Sequence, residues 1–103
     1  MQIIKDLASY IDDELCDAAK YARKALHTKE EYPQLAQVFY QLSVEEMDHM
    51  NRLHNEVKRL IDKARESGEE IPKGMEEAYQ LLHEIAIDKA KDVKTLQSLY
   101  REL

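Results

Sequence analysis

The chain has 103 residues, 35% of them charged, a formal net charge of −6, and only two glycines, two prolines and one cysteine. That length suits one small domain with a single core, and its acidic field repels phosphate backbones, which excludes nucleic acid as a partner. No apolar run approaches the ~20 residues of a membrane span, the opening "MQIIKDLASYIDDE" meets charge too early for a signal peptide, and a lone Cys16 forms no intramolecular disulfide, so a cytoplasmic location is expected.

Alanine, leucine, glutamate, lysine, glutamine and arginine dominate, a composition that favours helix. The first helix is expected over about 3–28, with Ile4, Leu7, Ile11, Ala18, Ala22 and Ala25 at helical spacing. The string "HTKEEYPQ" interrupts it, and Pro33 suits the first turn of a second helix running to about 67. Leu35, Phe39, Leu42, Leu53, Val57 and Leu60 mark one face of that helix. It ends in "ESGEEIPKG", where Gly68 is a natural cap and Pro72 can open a third helix over about 73–102. Met75, Tyr79, Leu82, Ile85, Ala86, Val93, Leu96 and Tyr100 form the apolar arc of this third segment. Two short connections imply antiparallel neighbours, so the expected fold class is all-α, a three-helix up-down-up bundle. At ~1.5 Å per residue the helices are roughly 40–50 Å long. Three such rods are thin for their wide apolar faces, so completion by oligomerisation is expected.

Two polar residues stand where the rhythm of helix 2 asks for leucine. In "VEEMDHM", residues 44–50, Glu46 points to the middle of the apolar arc and His49 lies about 60° to one side. Helix 1 has a matching anomaly: Ile4, Leu7, Ile11, Glu14, Ala18, Tyr21 and Ala25 form a seam with one carboxylate in it. Counted from the first turn, Glu14, Glu46 and His49 fall at one level of an antiparallel hairpin and face each other. The same count across the second turn brings residues near 91–94 to that level, which makes Asp92 a weaker candidate ligand and Asp88 a surface acid.

Burying charge is costly unless it is paired or bound to a metal. Carboxylates with an imidazole suit iron, manganese or zinc, and without a thiolate a structural zinc site is disfavoured. Glu-x-x-His places both groups on one helical face, so Glu46 can bridge two ions while His49 caps one.

With Glu14, Tyr21, the frame "LAQVFYQLSVEEMDHMNRL" at 35–53 and the 32-residue step from Glu14 to Glu46, residues 7–60 resemble half of a ferritin-like domain. The spacing is similar to that of bacterioferritins and rubrerythrins. The resemblance implies a non-haem di-iron centre and ferroxidase chemistry, an oxidoreductase acting on Fe(II) with oxygen or peroxide. A full ferritin-like chain has a fourth helix with a second Glu-x-x-His, whereas this sequence stops at Leu103. Two chains about a two-fold axis would supply the missing ligands. Short encapsulated ferritins, which this sequence resembles in size and ligand set, are built so. That likeness implies a homodimer or larger even-numbered assembly, and an encapsulating shell as a partner, although no obvious shell-targeting tail is present.

A metal-free alternative stands beside this reading: a helical interaction module whose Glu14, Glu46 and His49 form a buried network, with Lys89 pairing Glu46. Tyr21 is either a hydrogen-bond donor to a ligand carboxylate or plain packing. His27, His54 and His83 read as surface residues, and Met47 and Met50 as packing.

Overall fold

The computed structural model describes residues 2–103, and the described residues form three helices and no strand. Helix α1 spans Gln2–Thr28, α2 Pro33–Glu66 and α3 Lys73–Glu102. Each end lies within two residues of the expected boundary. Pro33 occupies the first turn of α2, where its missing N–H costs nothing. Past the other end, Gly68 takes φ +79°, the left-handed conformation that glycine adopts without steric cost. Its N–H reaches Arg65 O and the next N–H, from Glu69, reaches Ala64 O, both at 3.1 Å. This pair of bonds satisfies the last carbonyls of the helix.

Helix α1 packs along both of its neighbours, while α2 and α3 meet at few places. The molecule is a rod of 56 × 19 × 18 Å. Ile11, Leu15 and Ala18 of α1, Met47 and Met50 of α2, and Val93 of α3 make the main core. Ala25, Ala36 and Tyr100 make a second cluster. The buried stripe of α2 is therefore Ala36, Ser43, Met47, Met50 and Ala64. Of the expected stripe, Leu53 and Val57 pack against the main core and Phe39 against the second cluster, whereas Leu35 is 45% exposed and Leu42 and Leu60 are half-buried. Small side chains let helix backbones approach closely, so the seam facing α1 selects alanine and serine, and the leucines fall on its flank.

Ser43 ties the three helices together. Its hydroxyl donates to Ala18 O at 2.7 Å and accepts from Gln97 Nε2 at 3.0 Å, with Ser43 fully buried. A buried hydroxyl costs stability unless both roles are filled; here both are. One end of the rod is knitted further by Tyr100, which stacks on Tyr40 with centroids 4.7 Å apart and donates to Gln37 Oε1 at 2.9 Å.

Candidate metal centre

The Ser43–Ala18 bond sets where α1 and α2 face each other, and the polar side chains lie one turn further on along both. Glu14 is four residues before Ala18, Glu46 three after Ser43, and His49 three after Glu46. Helical geometry keeps residues three and four apart on one face, so the three side chains converge. One ligand atom from each lies within 4.8 Å of the other two. His49 Nδ1 is 3.6 Å from Glu14 Oε2 and 3.8 Å from Glu46 Oε1. Two donors on a single ion at ~2.1 Å stand ~3.4 Å apart, so small rotamer changes suffice to close the set.

The electrostatics are those of two crowded carboxylates. Glu14 Oε2 is buried and has no hydrogen-bond partner; its 3.6 Å approach to His49 is too long to count as one. Glu46 is pushed up to about 7, first by hydrogen bonding with the Glu14 carboxyl, then by burial, then by the negative charge of Glu14, with His49 pulling the other way. Two carboxylates this close do not both ionise comfortably without a cation. The orphaned oxygen, the clustered charge and the oxygen-and-nitrogen donor set fit a divalent transition metal.

The site opens away from α3. Lys89 of α3 pairs with Asp12, on the flank of α1 that also carries Cys16, and Asp12 and Glu14 point roughly 160° apart around the helix. Asp92 is exposed and lies outside the convergent group: equal height along the rod does not bring a residue to a site on the other flank. The same geometry removes the Glu46–Lys89 ion pair, because Lys89 is committed to Asp12. Tyr21 stacks on Phe39 with centroids 6.3 Å apart and interplanar angle 20°; it makes no hydrogen bond to either carboxylate. The side chain of His49 is 51% exposed, so one side of the group faces solvent.

Two features were hidden from helical periodicity. His54, expected on the surface, is half-buried and stacks on His83, with centroids 5.1 Å apart; His83 itself is exposed, as expected. Burial and the proximity of His83 and Lys58 lower its pKa. Ser43 and Gln97 were missed because polar residues do not register as core in an apolar count. The stripe Ala36–Ser43–Met47–Met50 is the signal that would have found them.

No family model, curated protein or solved structure matches the chain. No helix among the described residues is long and apolar enough to cross a membrane.

Proposed function

We propose that this is a ferritin-like protein in which α1, α2 and α3 run up, down and up, and that Glu14, Glu46 and His49 hold iron at a homodimer interface. The observation that carries the reading is the buried, unpartnered Glu14 Oε2 beside a second carboxylate and an imidazole whose side chain is 51% exposed. Three donors from one chain are too few for two ions. A two-fold axis through the open face places a second Glu14, Glu46 and His49 opposite the first, and gives the flanking leucines, among them the exposed Leu35, a partner. In this arrangement Glu14, Glu46 and His49 of both chains would together hold the ions. When bound, the iron pair supplies redox capacity and open positions for a small oxidant. The protein then serves as a ferroxidase, in iron handling or protection against oxidative stress; manganese or zinc suits the same donors less specifically.

The protein's own contribution is to hold two carboxylates that repel each other within reach of one point, so that a divalent ion is bound without rearranging the helices. A second reading has one observation behind it. With Glu46 held near 7 it can share a proton with Glu14, giving a metal-free network in a non-catalytic helical module.

Adding Fe(II) under argon and then admitting air separates the two. Iron oxidation at the site gives near-ultraviolet ferric absorbance that grows faster than in protein-free buffer and is lost in Glu46→Ala. Growth no faster than buffer, with no iron retained on gel filtration, favours the module.

A further inference from the structure

A cavity of about 300 Å³ lies where α2 and α3 part, and none of the three metal donors lines it. Its apolar lining includes Ala8 of α1, Met47, Met50 and Val57 of α2, and Ala86 and Ala90 of α3. The last three pack against the main core, so the chain itself closes the inner side. The volume falls at the small end of the roughly 300–1,000 Å³ of small-molecule sites. It suits a single aliphatic chain rather than a two-chain lipid.

The polar lining sorts by charge. It consists of Asp12, Asn51, His54, Tyr79, His83 and Lys94. Asp12 is the only carboxylate among the described residues there, and Lys89 already pairs with it. At the other end of the cavity from Asp12, half-buried His54 of α2 stacks on exposed His83 of α3 and marks a mouth. Burial, and then the positive charge of His83 and Lys58, lower the pKa of His54. Groups able to carry positive charge thus crowd together with no free acid lining the cavity beside them, in a chain of net charge −6. Such a rim is complementary to an anion.

We infer that this cavity binds a small amphipathic anion, an aliphatic chain with one carboxylate head. The head lies at His54 and His83, where imidazole N–H groups can donate to it and Lys58 adds charge. The tail runs from there towards Met47 and Ala90. His83 and Ala90 are seven residues apart on α3, about 10 Å along the axis, the reach of a medium-length chain such as decanoate. Each end supplies a different part of the recognition: apolar contact holds the tail, and the histidine pair selects the charge of the head. The site needs no metal, so it stands apart from the iron reading.

The test is titration calorimetry in EDTA at pH 7, with decanoate kept below the concentration at which it forms micelles. One decanoate per chain is expected, with decanol and decyltrimethylammonium at least about tenfold weaker, the loss of a charged hydrogen bond. His83→Ala, at an exposed position that leaves the fold intact, should weaken decanoate about fivefold or more. Lys94→Gln, well beyond the head, should not. By NMR the methyl signals of Met47 and Met50 should shift with decanoate, and the pKa of His54 should rise as the anion offsets His83 and Lys58. Affinity should accordingly increase from pH 8 to pH 6. Decanol binding as tightly as decanoate overturns the inference, since the cavity would then be a bare apolar hole. So do decanoate affinity unchanged in His83→Ala, and a parent chain that takes up no decanoate, including one whose cavity is covered by a second copy.

Discussion

Ser43 and Glu46 stand one turn apart on the same helix, and each points a polar group at α1. Their fates differ. The Ser43 hydroxyl is fully buried with its donor and acceptor roles filled by Ala18 O and Gln97. Glu46 meets another carboxylate, is held near 7, and its neighbour Glu14 keeps a buried oxygen without a partner. The difference lies in α3, which covers the first position with Gln97 and packs on the far flank of α1 from the second. A polar group that the fold needs is satisfied within the chain. One left unsatisfied within the chain asks for something from outside it.

The contrast can be broken from either side, and the largest effect falls on metal. Glu46→Ala should lower Fe(II) or Mn(II) affinity by more than the ~100-fold that loss of a supporting residue alone can cost, as read by titration calorimetry. It should leave the apo protein at pH 8 as stable as the parent or more so, since a repulsive contact is removed. Ser43→Ala should do the reverse. It strands the Gln97 amide in the core and costs about 1–3 kcal/mol in urea unfolding, with metal affinity retained.

Acidity sharpens the comparison. Because the carboxyl of Glu46 is raised above its ordinary 4.5 to about 7 in the folded chain, the folded state binds that proton more tightly than the unfolded state does. Its stabilising contribution is fully present below about pH 4.5 and is lost as pH rises through about 7. The melting temperature of the apo protein should therefore fall between pH 5 and 8 relative to Glu46→Gln, and added Mn(II) should reverse the fall. Metal must displace the proton, so affinity should rise across the same window. The smallest effect is expected at Lys89→Ala. Its pair with Asp12 is partly exposed, with side-chain accessibilities of 39% and 50%, and surface pairs contribute about 0–1 kcal/mol. Metal affinity should not change, whereas a Glu46–Lys89 pair would have made this substitution a large one.

Three helices and both breaks were legible in the sequence because Pro33, Gly68 and Pro72 act locally, on backbone that needs no tertiary partner. The convergence of Glu14, Glu46 and His49 was legible because a short connection between packed helices limits height, and 100° per residue fixes direction. Height alone misled at Asp92, since the level of a residue along α3 says nothing of which flank of α1 that helix chooses. The flank is decided by the cluster of Leu15, Ala18 and Ala19 with Val93, Ala86 and Ala90, small-residue packing that an apolar count underweights. For the same reason the stripe of α2 was only partly legible: Leu53, Val57 and Phe39 pack against the core clusters, whereas Leu35 is exposed.

The central claim is that the metal site is completed by a second chain. Sedimentation velocity at low micromolar concentration tests it most directly. Adding Mn(II) should convert monomer to dimer, EDTA should reverse the change, and His49→Ala should abolish it. A chain that binds Mn(II) tightly while remaining a monomer, or that binds none at all, would contradict the account.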